Sequence, residues 1–274
     1  MSDAAIRLTA FFTIFAVMAV VEAWRPRRER NFTRPKRWTT NWAITILNTV
    51  VGRLMVFIAP FEAALWAANG GFGLFNLFEI PSWLAILLSV VLLDLAIWFQ
   101  HWVVHHVPVL WRFHKVHHAD RDLDVTSGAR FHPVEIALSL LYKAALVLVL
   151  GVPAIAVVIF DIILNGMAMF NHANFRIPQA IERPLRWLIV TPDVHRVHHS
   201  VKVSETNSNF GFNLSVWDRL FGTFKDQPDG GHRGMTIGLS EHQSDRPTEL
   251  VWSLALPFRR GRKASSGIAD TNQP

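Results

Sequence analysis

Long apolar segments run through the first 170 residues of this chain, and they restrict it to a fold that a lipid bilayer can surround. Residues 8–24 are apolar except for Glu22, which approaches the roughly 20 residues that a helix needs to cross a bilayer. Further apolar stretches follow at 42–68, 83–100, 136–150 and 154–170. We therefore expect an all-α integral membrane bundle with four or five membrane helices.

The positive charges predict how these segments are oriented. Seven Lys and Arg residues lie in the segment 25–37, directly after the first apolar stretch. A cleaved signal peptide carries its charge before the apolar run, so we expect an uncleaved anchor followed by a cytoplasmic segment. The second stretch, broken by Arg53 and Pro60, would run outward and the third inward. The last two stretches would form a hairpin that returns the chain to the cytoplasm.

Histidine is abundant and cysteine is absent, with thirteen of the first and none of the second. Without thiolates the chain cannot form a disulfide scaffold, an iron–sulfur cluster or a cysteine zinc finger. Any metal site must therefore use histidine and carboxylate ligands. The net charge of +6 comes from basic runs beside apolar segments, which indicates contact with a membrane surface and not with nucleic acid.

Eight histidines fall into three boxes with helical spacing, one HxxxH and two HxxHH. Residues at i, i+3 and i+4 share one face of a helix, so each box projects its rings together. Eight nitrogens exceed what one ion binds, and they predict two metal ions with positions left open. Imidazole suits several transition metals, and oxygen chemistry at a membrane favours iron. The box residues are His101, His105, His114, His117, His118, His195, His198 and His199.

Two polar residues near the first box need separate interpretations. Asp94 precedes His101 by two helical turns on the same face, where it could bind a metal or orient a histidine ligand. The alternative is a structural aspartate that pairs with an arginine or reaches the membrane surface. His106 lies off the box face, and we expect it to be an ordinary histidine at the membrane interface.

Other classes of metal protein fit the pattern less well. A zinc hydrolase would need a glutamate beside two histidines, as in HExxH, and the sequence has none. A metal transporter would place its ligands near the middle of the bilayer, whereas these boxes follow the ends of apolar segments. The alternative that stays open is a membrane metal-binding or transport protein without oxygenase activity.

The order and spacing of the motifs resemble the membrane-bound fatty acid hydroxylase and sterol desaturase superfamily over roughly 41–224. The sequence around 111–114 looks most like its bacterial members and the alkylglycerol monooxygenase branch. The motifs are Asp94 with the box at 101–105, PVLWRFHKVHH at 108–118, ARFHPVE at 129–135, NHAN at 171–174, TPDVHRVHH at 191–199, NSNFG at 207–211 and WDRLFGT at 217–223.

The resemblance implies two non-haem irons, O2 as the co-substrate, and hydroxylation or desaturation of a C–H bond in a lipid. It adds His172 as a ninth ligand. Some family members carry a further histidine four residues from it, where this chain has Ala168 and Arg176. We expect His132 to hold a ligand in orientation instead of binding metal. Asp218 is expected to form a structural corner, in a local ion pair with Arg219.

The resemblance also implies a lipid substrate taken from the bilayer and an external electron donor. The chain has no dinucleotide-binding fingerprint and no His-Pro-Gly-Gly haem motif, so a ferredoxin or cytochrome with its reductase must supply electrons. The expected location is a bacterial inner membrane with the boxes facing the cytoplasm. We divide the chain into membrane helices (1–100), the first two boxes (101–135), a membrane hairpin (136–170), a cytoplasmic third box with a cap (171–258) and a basic disordered tail (259–274).

Overall fold

The computed structural model describes residues 3–78 and 80–259. This part of the chain is helical, and its isolated β-bridges do not build a sheet. The predicted all-α class is therefore confirmed. The predicted tail, from residue 260 onward, lies outside the described residues. The helices are α1 (Asp3–Trp24), α2 (Arg34–Leu54), α3 (Pro60–Gly70), α4 (Leu74–Leu77), α5 (Ser82–His106), α6 (Pro108–His118), α7 (Pro133–Leu150), α8 (Ala154–His172), α9 (Gln179–Leu185), α10 (Pro192–His198), α11 (Val203–Thr206), α12 (Val216–Leu220), α13 (Gly231–Gly234) and α14 (Leu250–Ala255).

Four helices in the described part of the chain, α1, α5, α7 and α8, are long and apolar enough to cross a membrane. This confirms the predicted membrane bundle. The hairpin arms α7 and α8 contain 18 and 19 residues, which is within the range for a spanning helix. Gly151 joins them in a left-handed conformation, with φ of 68°, which glycine adopts without steric cost.

The second apolar stretch is divided between two helices. α2 ends at Leu54, a short 3-10 turn covers Val56–Ile58, and α3 begins at Pro60. Proline has no N–H and clashes with a preceding helical turn, but it fits the first position of a new helix. The stretch at 42–68 is therefore not one spanning helix.

Small side chains let α3 pack closely against the hairpin. Ala63 and Ala64 are completely buried and belong to the same core cluster as Val147 of α7 and Phe160 of α8. Close approach through small residues is how helices associate where the surrounding lipid is as apolar as their side chains. α3 thus supports the two helices that border the histidine boxes.

The loop between α6 and α7 passes directly over α8. A Cβ added at Gly128 would lie 2.4 Å from the carbonyl oxygen of Ala168, so the backbone can approach this closely only because residue 128 is glycine. The contact brings the end of the second box and the start of α7 next to the last turn of α8.

A buried ionic cluster fixes this loop to the start of α2. Arg37 donates two hydrogen bonds to the carboxylate of Asp120, at 2.9 and 2.7 Å, and it also donates to Asp124. Arg37 was expected among the surface charges of the segment 25–37, but it is only 1% exposed. We call this cluster the arginine–aspartate layer. It consists of Arg37, Asn41, Asp120, Asp124, Ser127 and Arg130.

Candidate metal centre

The three boxes lie at helix ends that meet at one end of the bundle. The first box occupies the last turns of α5, the second the last turns of α6, and the third occupies α10. Thr191 caps α10, because its hydroxyl accepts a hydrogen bond from the Val194 amide, as a helix N-cap does. His172 is the last residue of α8, which adds a fourth helix end.

The structure brings all nine predicted ligands together in two adjacent groups, in each of which one possible ligand atom per histidine lies within 4.8 Å of the others. We call these nine residues the histidine cluster. The group of five contains His101, His105, His114, His118 and His198, and the group of four contains His117, His172, His195 and His199.

In the group of four, the Nε2 atoms converge. The Nε2 of His172 lies 3.1 Å from that of His117, 3.0 Å from that of His195 and 3.2 Å from that of His199. Two imidazole nitrogens at right angles on one ion would be roughly 3.0 Å apart, because metal–imidazole bonds are about 2.0–2.1 Å long. The observed spacing fits a shared metal ion.

The rings in the group of five are as closely spaced as those in the group of four. The Nε2 atoms of His101 and His114 are 3.2 Å apart. The ring of His105 lies 4.8 Å from the ring of His118 and 4.6 Å from that of His198, measured between centroids. His118 also stacks on His199 at 4.5 Å, so the two groups touch directly.

Five of the nine histidines have their outward ring nitrogen, Nδ1, held by an acceptor. An acceptor at Nδ1 fixes the proton on that atom and leaves the Nε2 lone pair for a metal. The acceptors are the Phe210 carbonyl for His101, Asn207 Oδ1 for His105, Glu135 Oε1 for His114, the Ala168 carbonyl for His172 and the Ser208 carbonyl for His198.

Several buried nitrogens of the cluster have no hydrogen-bond partner among the described residues. They include the Nε2 atoms of His105, His118 and His198. Buried polar atoms in folded proteins almost always have a partner, and unpaired ones need an explanation. Three unpaired nitrogens in one group of five indicate a place for a ligand such as a metal ion.

The protonation state of the cluster also suits metal binding. Burial lowers the pKa of His195 and His199 well below the usual value, and the neighbouring imidazoles lower it further. The same burial lowers the pKa of His198 to about 3. These rings are therefore neutral at pH 7, and a histidine must be neutral to bind a metal.

Glu135 is the functional residue that the sequence did not single out. Its Oε1 lies 2.6 Å from Nδ1 of His114, while its Oε2 is buried and has no hydrogen-bond partner among the described residues. A carboxylate behind a metal-binding histidine orients the ring and makes it a stronger ligand. Glu135 stands in the first turn of α7, three residues after His132, and this position could have suggested that it faces the second box.

His132 does not have the role expected for it. Its Nδ1 accepts a hydrogen bond from the Val134 amide and caps α7, and its Nε2 lies 3.3 Å from the Leu254 carbonyl. Both ring nitrogens therefore face backbone atoms, and it is Glu135 that contacts a cluster histidine.

Asp94 likewise orients a loop instead of a histidine. Its Oδ2 accepts hydrogen bonds from the Trp217 indole at 2.8 Å and from the Leu214 amide at 3.2 Å. The two turns that separate it from His101 put about 10 Å between them along α5. Asp94 therefore attaches the segment after the third box to the membrane bundle.

Asp218 forms a corner, as expected, but not in the expected pair. Its carboxylate accepts from the Trp98 indole and from the amides of Phe210 and Gly211, at 2.8–2.9 Å. The Phe210 carbonyl in turn holds His101. Arg219 lies over the rings of Trp187 and Phe224 and makes no ion pair with Asp218, so the predicted pair is wrong.

His106 agrees with its interpretation as an interfacial residue. It is exposed, and it stacks on Trp102 with the ring centroids 4.4 Å apart. It belongs to neither group of the histidine cluster.

A cavity of about 620 Å³ borders the group of five. His101 and His114 form part of its wall near the cluster, together with apolar side chains such as Phe131 and Phe212. Its volume is in the range of small-molecule sites. The arrangement can therefore hold an apolar molecule next to a metal centre.

Comparisons with known proteins agree with this geometry. The family model described as fatty acid hydroxylase matches residues 86–223. Ornithine lipid hydroxylase OlsE of Rhizobium tropici is 29% identical over 68% of this chain and 54% of its own. Human alkylglycerol monooxygenase is 25% identical over 59% of this chain and 36% of its own. Human cholesterol 25-hydroxylase is 23% identical over 77% of this chain and 78% of its own.

The chain thus spans about half the length of the first of these relatives and about a third of the second. No solved structure is significantly similar to it. The family model covers half of the chain and includes all nine cluster histidines together with Glu135 and Asp218. The chain therefore belongs to the fatty acid hydroxylase family.

Proposed function

We propose that this protein is an O2-dependent, non-haem di-iron oxidoreductase that hydroxylates a C–H bond of a lipid. The observation that carries the proposal is the division of nine buried histidines into two touching groups, with nitrogens that converge inside each group. Two groups of this kind suit two ions. The names of the relatives, which are hydroxylases and a monooxygenase, favour hydroxylation over desaturation.

The nine histidines would hold the two irons, four ligands on one ion and five on the other. Imidazole is a suitable ligand for iron, and an iron that accepts six ligands would keep one or two positions open. Bound iron would supply the activation of O2 that an unactivated C–H bond requires. The residues of the chain supply the orientation of the ligands and the environment of the substrate.

The walls of the cavity would exclude water from the reacting carbon. Phe131 stacks on His117 at 4.3 Å, and Phe212 lies 5.0 Å from His101 between ring centroids. A dry site prevents side reactions and strengthens the electrostatic interactions within it. Glu135 would hold His114 in the orientation that points Nε2 toward the metal.

The membrane supplies the substrate in this proposal, and a soluble or membrane-bound ferredoxin or cytochrome supplies the electrons. We place the histidine cluster on the cytoplasmic side of a bacterial inner membrane. Arg37 of the basic segment 25–37 binds Asp120, two residues after the second box, so the segment and the cluster lie on the same side, and basic segments beside membrane helices favour the cytoplasm. Reporter fusions at Gly70 and Gly151 should then report the outside and a fusion at Lys225 the inside. An outside signal at Lys225 would reverse this orientation.

Metal analysis combined with an oxygen electrode tests the function. Protein purified from iron-supplemented cells should contain about two irons per chain and should consume O2 when a reductase system and a membrane lipid extract are added. Mass spectrometry should find a lipid that has gained one oxygen atom. Tightly bound metal without lipid-dependent O2 uptake would favour the alternative, a metal-binding or transport protein.

A further inference from the structure

The cavity that begins at the histidine cluster ends at a group of charged side chains. Arg7 of α1, Lys143 of α7 and Asp161 of α8 all line it. Arg7 lies 2.8 Å from Asp161, and Lys143 lies 3.4 Å from it, between the charged atoms. All three belong to helices that can cross the membrane.

Charged side chains inside membrane helices are costly and usually have a function. Three apolar side chains would pack these helices without that cost. Lys143 has three N–H donors, and among the described residues its ammonium group has one hydrogen-bonding partner, Asp161 at 3.4 Å. Its ammonium group therefore retains donors for a further acceptor.

The separation between the two ends of the cavity follows from the helices. On α7, Lys143 lies eight residues after Glu135, the residue that contacts His114. On α8, Asp161 lies eleven residues before His172. At 1.5 Å per residue these separations are about 12 and 17 Å.

The wall between the two ends is mostly apolar. Ile97, Val104, Ile136 and Leu140 belong to it. Helix α1 closes it from the side, where Ile14 packs against Gly166 of α8. A molecule that fills the cavity therefore needs an apolar body and one polar end.

We propose that Lys143 binds the acid group of an amphiphilic substrate, a carboxylate or a phosphate, and that oxidation occurs about 12–17 Å away from that group. An anion suits this end because Lys143 is a cation whose ammonium group keeps donors beyond its contact with Asp161. The substrate would be oxidised far along its chain and not beside its polar group. The position of oxidation rests on the proposed function, whereas the binding of the acid group does not.

Binding to the purified protein without a reductant tests the inference independently of oxidation, because no turnover occurs. The probes are radiolabelled hexadecanoic acid, hexadecyl phosphate and hexadecanol, added to protein in nanodiscs of neutral lipid. One of the two acids should bind at least tenfold more tightly than the alcohol, and the tighter acid identifies the source of the acid group. Lys143→Met should weaken acid binding about tenfold or more, as expected for the loss of a charge-assisted hydrogen bond.

Two further variants control the measurement. Lys143→Arg keeps the cation and should keep the preference for acids. Lys36→Met removes an exposed lysine that pairs with Asp245 and lines no part of the cavity, so it should change nothing. Equal binding of acids and alcohol by the unmodified protein, or acid binding that Lys143→Met leaves unchanged, would overturn the inference.

A second test uses the active enzyme and determines where its product is oxidised. Mass spectrometry of the product from the better acid should place the new oxygen remote from the acid group. Oxidation at the carbons next to the acid group would refute the proposed distance between the acid group and the oxidised carbon, even if the acid binds. No oxidation of any lipid would refute the proposed function and would leave the binding result to decide this inference.

Discussion

Two buried polar regions adjoin each other in this protein, and their hydrogen bonding differs. The arginine–aspartate layer is built around four charged side chains, and every polar side-chain atom of Arg37, Asp120, Asp124 and Ser127 has a partner within the described residues. The histidine cluster is composed of neutral rings, and several of its nitrogens have none. The two regions are joined by the chain itself, because Asp120 follows the second box by two residues.

The difference separates what supports the fold from what can bind a ligand. The layer satisfies its own charges, so it needs nothing from outside to be stable. The cluster concentrates lone pairs that the protein leaves unused, and a metal would satisfy them.

The largest effect on function should come from the group of four. We expect His195→Ala to reduce lipid-dependent O2 uptake more than 100-fold, because removal of a ligand should exceed the 10–100-fold that residues behind ligands contribute. Iron per chain should fall while the protein still folds. His106→Ala, which changes an exposed histidine outside the cluster, is the matched control. Full activity of His195→Ala would show that the cluster is not the active centre.

The largest effect on folding should come from the layer. Arg37→Met leaves Asp120 and Asp124 buried without their cation, and such a loss costs about 3–5 kcal/mol. Thermal unfolding in detergent should show a much lower midpoint, and expression should fall. Lys36→Met is the control, since its ion pair is exposed. If Arg37→Met were as stable as the control, the layer would not be the support that we describe.

A smaller and local effect is expected from Glu135. Glu135→Gln keeps a hydrogen-bond acceptor beside His114 but removes the charge. Metal titration should show affinity lowered about 10–100-fold at the group of five, with little change at the group of four. Glu241→Gln, which alters a partly exposed glutamate, should leave both affinities unchanged. Equal weakening at both groups would mean that the two sites are not separable.

The smallest expected effect is a difference in pH dependence for metal-free protein. Burial lowers the pKa of His117 and His118 in the folded state, so the unfolded chain binds more protons as the pH falls below about 6.5. Stability should therefore decline from that pH downward. Asp120 also has a lowered pKa, because Arg37 and Arg130 outweigh its burial, but its contribution is lost only below about 4. A free energy of unfolding that stayed constant between pH 7 and 5 would contradict the decline expected from the buried histidines.

The histidine ligands were predictable because their signal is local. Spacing at i, i+3 and i+4 identifies a shared helix face without knowledge of the fold, and only His172 required the resemblance to the family. The partners of the rings were not predictable. The carbonyls of Phe210 and Ser208 approach the cluster only after the segment following α10 has folded back.

Charges were harder to interpret than apolar periodicity. Four or five membrane helices were expected from the five apolar stretches, and four helices in the described part of the chain fit a membrane. Arg37 was expected among surface charges, since nothing in a single sequence reveals that Asp120 and Asp124 will converge on it. Asp94 was placed correctly on the face of α5 that carries His101. The hydrogen bond that it accepts from Trp217 depends on tertiary structure, which a single sequence does not reveal.

The order of the histidines along the chain has a consequence for biogenesis. The group of five needs His101 from α5 and His198 from α10, and the group of four needs His117 and His199. Neither group is complete until the ribosome has released the third box and the hairpin has entered the bilayer. A metal ion that needs a whole group could therefore be captured only after translation has passed this point, so that metal loading would report whether the whole bundle has been inserted and assembled.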